Sequence, residues 1–297
     1  MTAASEKIGF VGTGLMGHGM AKNIVEKGYP LTVIAHRNRK PVEDLVSRGA
    51  TEAASLEELA RGCSIIFLCL TGAPEVAAAV AALKPGLAKG SVIVDCSTSD
   101  PTVTLRLAAE LAEIGVDFAD APLSRTPKEA WAGTLDCMVG AEDAVFSRIE
   151  PAIATWAAKI VHIGAIGDGH KMKLLNNFLS LGYAALYSEA LAMSRKVGIP
   201  VAKFDKVIRG GRMDCGFYQT FMGYALEGNR EAHKFSLSNA YKDMRYVESM
   251  ANAVTLATPM TSAVKNSFAS AMATGGDGPE DYVPHLSDFV ARANGLK

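Results

Sequence analysis

The sequence is poor in cysteine, lacks long hydrophobic runs and has no excess of charge of either sign. Its five cysteines are scattered and form no Cys-x-x-Cys pair, so we expect buried thiols rather than disulfides or a zinc site. The six histidines show no i, i+4 pairing and no acidic residues at ligand spacing, so no metal is expected. The longest apolar runs, 65–70 and 76–83, are far shorter than the roughly 20 residues that cross a bilayer. We therefore expect no membrane partner.

The balance of charge also argues against nucleic acid as a partner. Thirty basic and 31 acidic residues give a net charge of −1, so no general field attracts the chain to phosphate backbones. Hydrophobic residues make up 49% of the chain and charged residues 21%, which is typical of a folded globular protein. The N-terminus lacks the basic-then-apolar order of a signal peptide, which predicts a cytoplasmic protein.

Short apolar runs alternate with longer amphipathic stretches in the first half of the chain. Several of these runs are apolar throughout, as expected for strands that helices cover on both faces. The pattern predicts an α/β fold with a Rossmann domain, a doubly wound and mostly parallel sheet. The predicted strands are 7–11, 31–35, 64–70, 91–95, 117–119, 135–139 and 159–163.

The second half shows apolar residues at helical spacing and no further strand pattern. At 297 residues the chain is about twice the size of a typical domain, so two domains are expected. We place a nucleotide-binding domain at residues 1–165 and an all-α domain, for substrate binding and dimerisation, at 166–297. The predicted helices of the second domain are 172–197, 201–208, 219–226, 240–250, 260–273 and 285–293.

A glycine-rich turn follows the first predicted strand and opens a helix. It has the Gly-x-Gly-x-x-Gly spacing of dinucleotide-binding loops, in which the helix N-terminus presents free N–H groups to a pyrophosphate. The strand–turn–helix context supports a nicotinamide dinucleotide as cofactor. The predicted loop residues are Gly12, Thr13, Gly14, Leu15, Met16 and Gly17.

The end of the second predicted strand bears on the choice between NAD and NADP. A carboxylate in this region usually binds the ribose 2′-hydroxyl of NAD, but residues 35–40 contain none. A 2′-phosphate would instead meet the guanidinium of Arg37, with His36, Asn38 and Arg39 beside it. The sequence therefore predicts that NADP is preferred over NAD.

Four separated motifs extend over nearly the whole chain. They comprise residues 10–23, residues 120–124 with 130–135, residues 167–177 (Gly-Asp-Gly-His-Lys-Met-Lys-Leu-Leu-Asn-Asn) and residues 235–243. Together they resemble the β-hydroxyacid dehydrogenase family, which includes 3-hydroxyisobutyrate dehydrogenase and the tartronate semialdehyde, glyoxylate and succinic semialdehyde reductases. The resemblance implies hydride transfer between NADP(H) and a small carboxylate substrate, and a homodimer or homotetramer.

The resemblance also implies roles for individual residues. Lys173 would be the catalytic residue, since an ammonium group can stabilise a carbonyl oxygen that gains negative charge and can give it a proton. Asn177 lies one turn further on the same helix face, where it would contact the substrate or orient Lys173. Ser124 would bind the substrate carboxylate. The residues implied to line the cofactor channel are Leu70, Thr71, Thr98 and Lys242.

The sequence departs from the family pattern directly after Ser124. Arg125 and Thr126 stand where the family usually has two glycines that offer N–H groups to the substrate. Arg125 either binds a substrate anion or pairs with a surface acid such as Glu129. A dehydrogenase of a sugar-derived acid, such as threonate or a phosphorylated acid, is therefore an alternative. A cofactor-binding scaffold without activity is a second alternative, and Lys173 argues against both that scaffold and an imine reductase.

Overall fold

The computed structural model describes residues 6–296, and its contacts divide the chain into two compact units, Met1–Lys173 and Leu174–Lys297. The first unit contains nine strands: β1 Ile8–Val11, β2 Leu31–Val33, β3 Thr51–Glu52, β4 Ile65–Leu68, β5 Val92–Asp95, β6 Asp117–Asp120, β7 Leu123–Ser124, β8 Leu135–Gly140 and β9 Ala157–Gly164. Its helices are α1 Gly17–Glu26, α2 Lys40–Ser47, α3 Leu56–Gly62, α4 Ala73–Leu83, α5 Pro101–Ala112, α6 Pro127–Ala132 and α7 Asp143–Ile153.

The strands form one sheet in the order β3-β2-β1-β4-β5-β6-β8, with β7 and β9 both paired to β8. The pairs from β3 to β6 are parallel, and β8 runs antiparallel to β6. Strand order reverses between β2 and β4 on either side of β1, and ligands of such sheets bind at the carboxyl ends of the strands near that point. The predicted α/β fold is confirmed.

All seven predicted strands are present, with ends within two residues of the prediction. Strands β1, β4 and β5 are buried at every position, which explains their continuous apolar sequence. Strands β3 and β7 were missed because each has only two residues, too few to show any periodicity.

The second unit is helical. Helix α8, Asp168–Lys196, runs across the division of the chain, and α9 Val201–Ile208, α10 Gly216–Ala225, α11 Leu237–Ala253, α12 Pro259–Ala273 and α13 Leu286–Ala293 follow it. The predicted helices are all present, within four residues at each end. The core of this unit includes Leu181, Tyr218, Phe221 and Phe268. Among residues 6–296, no helix is both long and apolar enough to span a membrane.

The cysteines depart in part from the prediction of buried thiols. Cys63, Cys96 and Cys137 are buried and Cys69 is half-buried, and burial raises the pKa of the Cys69 thiol to about 12. Cys215 is exposed, so the prediction is wrong for this residue. It lies in a loop and caps the N-terminus of α10, where its Sγ accepts the N–H of the third helical residue.

Candidate active site

The glycine-rich loop between β1 and α1 has the geometry of a dinucleotide cradle. Gly12 has a φ of +99°, and a Cβ atom there would lie 2.2 Å from the carbonyl oxygen of Cys69. A Cβ at Gly17 would lie 1.9 Å from the carbonyl oxygen of Gly12. A Cβ at Gly14 would meet no protein atom within 4 Å. The fold itself therefore requires glycine at 12 and 17, whereas Gly14 leaves open the space that a pyrophosphate would use.

The N-terminus of α1 is suited to an anion. No side chain caps it at Met16, and its first turn contains no acidic residue that would repel a phosphate. Thr13 and Met16 are half-buried, and the Leu15 side chain is exposed. The neighbouring His18 side chain is held by Asp44 at 2.8 Å. The residues of this loop thus fit the pyrophosphate of a nicotinamide dinucleotide.

The arginines after β2 have different surroundings. Arg39 pairs with Glu52 of β3 at 2.9 Å and with Glu43 at 3.8 Å. Arg37 is exposed and has no ion-pair or hydrogen-bond partner among residues 6–296. The Asn38 side-chain Oδ1 accepts the backbone N–H of Lys40 at 3.2 Å, which fixes the turn. Of the two guanidinium groups, that of Arg37 is therefore the one available to a ligand.

The ends of β4 and β5 border the glycine-rich loop. The Leu70 side chain lies 3.0 Å from the position that a Gly12 Cβ would occupy. The Leu70 N–H donates to the Ser97 hydroxyl at 2.9 Å, which links the two strand ends. Thr71 is exposed and Thr98 is half-buried. The structure thus brings together these residues and the loop, as expected at the carboxyl ends of neighbouring parallel strands.

Arg125 follows β7 in an unusual backbone conformation. Its φ is +89°, in the left-handed region that favours glycine. Its Nε lies 3.0 Å from Asp136 Oδ2, and about half of its side chain, 51%, is exposed. Asp136 also raises the pKa of Arg125. The expected pairing with a surface acid is present, with Asp136 rather than Glu129 as the partner.

Thr126 and Ser124 flank this arginine. Thr126 is the N-cap of α6, where its N–H and hydroxyl both donate to the Glu129 carboxylate. The Thr126 hydroxyl thus takes part in capping the N-terminus of α6. Ser124 lies opposite Asp136 on β8 and is half-buried. The predicted contacts of Ser124, Arg125 and Thr126 with substrate stay predictions.

The first turn of α8 is fixed by a buried carboxylate. Asp120, at the end of β6, accepts the N–H groups of Gly167 and His170, each at 2.6 Å. Burial raises the pKa of Asp120, while His170 and the two N–H groups lower it. This capping explains why α8 begins at Asp168, earlier than predicted. Lys173 is half-buried on the second turn, three residues after His170.

In the helical unit, two predicted site residues are linked through a third. Asn177 Nδ2 donates to Asp243 Oδ2 at 2.7 Å, and Lys242 Nζ lies 3.0 Å from Asp243 Oδ1. Asp243 is fully buried. The sequence analysis gave this residue no role, although it directly follows Lys242 in the fourth motif. Its carboxylate holds the amide of Asn177 in one orientation.

Comparisons with known proteins agree with this geometry. The family model described as the NAD binding domain of 6-phosphogluconate dehydrogenase matches residues 7–164. The model described as NAD-binding of NADP-dependent 3-hydroxyisobutyrate dehydrogenase matches residues 167–284. The fold and the glycine loop thus define a nicotinamide dinucleotide-dependent oxidoreductase.

Two curated enzymes and one solved structure show which oxidoreductases the chain is similar to. The 2-(hydroxymethyl)glutarate dehydrogenase of Eubacterium barkeri is 34% identical over 255 residues, 77% of this chain and 84% of the relative. The 2-hydroxy-3-oxopropionate reductase of Escherichia coli (strain K12) is 30% identical over 280 residues, 91% and 92% of the two chains. A structure of Mycobacterium tuberculosis 3-hydroxyisobutyrate dehydrogenase with L-serine shares the fold, with a TM-score of 0.84, 24% identity and coverage of 94% and 98%.

The chain belongs to the β-hydroxyacid dehydrogenase family. It is an NAD(P)-dependent dehydrogenase or reductase of the 3-hydroxyisobutyrate dehydrogenase type.

Proposed function

We propose that this enzyme prefers NADPH and interconverts a small β-hydroxy acid and the matching semialdehyde or keto acid, with Lys173 as acid and base. The observation that carries this proposal is the position of Lys173. It lies on the second turn of a helix whose start is fixed by Asp120, in the same unit as the open glycine loop. This lysine differs from an ordinary surface lysine, because the helical turn that precedes it is anchored by buried hydrogen bonds of Gly167 and His170.

The proposed reaction gives a role to each of the predicted site residues. When bound, the reduced nicotinamide supplies a hydride to the carbonyl carbon. Negative charge then develops on the carbonyl oxygen, which the Lys173 ammonium stabilises and protonates; in the oxidative direction the neutral amine accepts the hydroxyl proton. Asn177, one turn further on the same helix face, binds the substrate hydroxyl or orients Lys173. Ser124 binds the substrate carboxylate, and the role that the resemblance implies for Lys242 stays a prediction.

The preference for NADP rests on the residues after β2. No carboxylate follows this strand between residues 35 and 40, where an acid would select NAD. Arg37 is exposed without an acidic partner, whereas Arg39 is held by Glu43 and Glu52. Arg37 therefore binds the 2′-phosphate, with His36 and Asn38 beside it.

In this proposal Arg125 binds an anion of the substrate, either its carboxylate or a second anionic group. Arg125 is half-exposed and charged, so its guanidinium can exchange Asp136 for a substrate anion. The relative named for 2-(hydroxymethyl)glutarate is named for a compound with two carboxylates. The sugar-derived acids remain the second candidate, because a phosphorylated acid offers the same anion to Arg125. A steady-state panel of glyoxylate, succinic semialdehyde, tartronate semialdehyde, 3-hydroxyisobutyrate and sugar acids separates them.

The experiment that tests the proposal is Lys173→Ala. We expect turnover to fall by about two to four orders of magnitude, the range for loss of a general acid and base, while the Kd for NADPH changes less than about threefold. The matched control is Lys171→Ala, because Lys171 pairs with Asp168 at 2.8 Å near the surface and should be dispensable. Turnover of Lys173→Ala within about threefold of the parent would remove Lys173 from the mechanism. NADPH binding by the parent without turnover on any panel member would favour the scaffold.

A further inference from the structure

His170 is a fully buried histidine in the first turn of α8, three residues before Lys173. Its Nε2 lies 3.1 Å from the carbonyl oxygen of Ser97, and its Nδ1 lies 2.8 Å from the Thr104 hydroxyl. A carbonyl oxygen only accepts hydrogen bonds, so Nε2 carries a proton. Both ring nitrogens are thus bonded to the segments that follow β5, and the ring has a single orientation.

Two buried carboxylates face the same ring. Asp95 Oδ2 lies 3.7 Å from Nε2, and Asp120 Oδ2 lies 3.8 Å from Nδ1. Asp95 Oδ2 accepts no hydrogen bond within residues 6–296. Buried carboxylates are costly unless a cationic or donor group lies close to them. The imidazole lies close to both carboxylates, and backbone N–H groups also donate to each of them, those of Gly167 and His170 to Asp120 and that of Ser97 to Asp95.

The bonds of His170 continue toward the cofactor residues. The Ser97 N–H donates to Asp95 Oδ1 at 2.9 Å, and the Ser97 hydroxyl accepts the N–H of Leu70. Ser97 directly precedes Thr98. A chain of hydrogen bonds therefore runs from the start of α8 through Ser97 to the ends of β4 and β5. All of these residues lie in the first unit, Met1–Lys173.

We infer that His170 is a positioning residue, which holds the helix turn carrying Lys173 in register with the strand ends that carry Leu70 and Thr98. The inference rests on the proposed role of Lys173. Hydride and proton transfer require the reacting groups in a narrow geometry, and a misplacement of about 1 Å can cost about a hundredfold in rate. The pyrophosphate contacts lie at the α1 N-terminus and do not depend on this bond. Loss of His170 should therefore lower kcat while it leaves cofactor affinity nearly unchanged.

The test compares His170→Leu with His170→Gln. We expect His170→Leu to lower kcat by about tenfold to a hundredfold, with the substrate KM and the NADPH Kd within about threefold of the parent. His170→Gln should recover kcat to within about threefold, because its amide N–H can still donate to the Ser97 carbonyl. His162→Gln is the matched control, since His162 also bonds a backbone carbonyl, that of Ala141 at 2.8 Å, but lies on β9. It should behave as the parent.

Two outcomes would overturn the inference. One is a His170→Leu kcat within about threefold of the parent, and the other is a His170→Gln variant as slow as His170→Leu. If neither variant folds, Thr104→Val decides. Like His170→Gln it removes the contact at Nδ1 and leaves the Nε2–Ser97 bond, and it also gives up the contact with the Asp100 carbonyl oxygen. It should lower kcat by about twofold to threefold, and an unchanged kcat would refute the inference. A Lys173→Ala variant with nearly full turnover would instead refute the proposed function, whatever the His170 variants show.

Discussion

At the scale of single residues, Arg37 and Arg39 have the same side chain and differ in their neighbours. Arg39 is paired with two acids, and Arg37 has none among residues 6–296. We predict that Arg37→Ala lowers kcat/KM with NADPH by about tenfold to a hundredfold, which is the range for a lost charge-assisted hydrogen bond. The kcat/KM with NADH should stay nearly unchanged, because NADH has no 2′-phosphate. Steady-state kinetics with both cofactors measure this, with Arg39→Ala as the control of smaller effect. A parent that prefers NADH, or an equal loss with both cofactors, would contradict the prediction.

Arg125 stands where the resemblance to the family leads us to expect a glycine. Its ion pair with Asp136 is half-exposed, and exposed pairs contribute little to stability. Glycine would also relieve the left-handed φ of +89°. We predict that Arg125→Gly raises the substrate KM about tenfold or more without loss of thermal stability and with little change in the KM for NADPH.

Kinetics and a thermal melt of the same sample test this prediction. The control is Lys128→Ala, which removes an exposed cation three residues away. An unchanged KM for the best substrate found would mean that Arg125 does not contact the substrate and only forms the ion pair with Asp136. A lower melting temperature with unchanged KM would give Arg125 a structural role alone.

At the scale of elements, an ion pair connects the chain before β1 to α7. Glu6 accepts two hydrogen bonds from Arg148, at 2.8 and 3.1 Å, and one from the Ser64 hydroxyl. Arg148 is the main cause that lowers the pKa of Glu6 below its ordinary value of 4.5. A carboxyl group with a lowered pKa stabilises the folded state above its ordinary pKa. That contribution is lost as the pH falls through the folded pKa.

We predict that Glu6→Gln lowers the free energy of unfolding by about 1 kcal/mol at pH 7. The difference from the parent should begin to shrink near pH 4.5, where Glu6 of the unfolded chain takes up a proton, and should vanish below the lower folded pKa, where both side chains are uncharged. Urea unfolding at several pH values measures it. Glu57→Gln is the control, since Glu57 forms an exposed pair with Arg61 within α3 and should have almost no effect. A difference that does not vary with pH would show that the charge of Glu6 is not responsible.

At the scale of the whole molecule, α8 carries an exposed apolar stripe. The exposed fractions are 47% for Leu175, 58% for Leu179, 53% for Leu186 and 65% for Met193. Their spacing of four and then seven residues places them on one side of the helix, as in helices that pack against a partner. We propose that this stripe forms part of the interface of a homodimer or homotetramer.

Sedimentation velocity tests the oligomer. We predict that the parent sediments as a dimer or tetramer and that the double variant Leu179→Glu, Leu186→Glu shifts toward smaller species, because two charges would then face the apolar partner. Val207→Glu is the control, since Val207 is 79% exposed on α9 and lies outside the stripe. A monomeric parent would exclude such an interface. Unchanged sedimentation of the double variant would mean that the interface lies elsewhere on the protein.

The division between domains at residue 165 and the cytoplasmic location also stay predictions.

Features that depend on local patterns could be predicted from the amino-acid sequence. Continuous apolar runs identified β1, β4 and β5, because a strand buried on both faces must be apolar at every position. The glycine spacing identified the loop at 12–17, since the positive φ of Gly12 and the close approach of Gly17 to the Gly12 carbonyl oxygen both arise within the turn. The third motif implies the role of Lys173 only through its resemblance to the family, and this role stays a prediction.

Contacts between residues that are far apart in the sequence could not be predicted and are seen only in the folded protein. His170 lies beside Asp120, 50 residues earlier, and Asn177 bonds Asp243, 66 residues later. Arg125 pairs with Asp136 because β7 and β8 are neighbours in the sheet. Spacing along the chain carries no signal of such contacts, because burial and strand pairing create them when the chain folds. From the sequence alone, a carboxylate or a histidine is therefore predicted to be exposed, although residues such as His170 and Asp243 are buried in the folded protein.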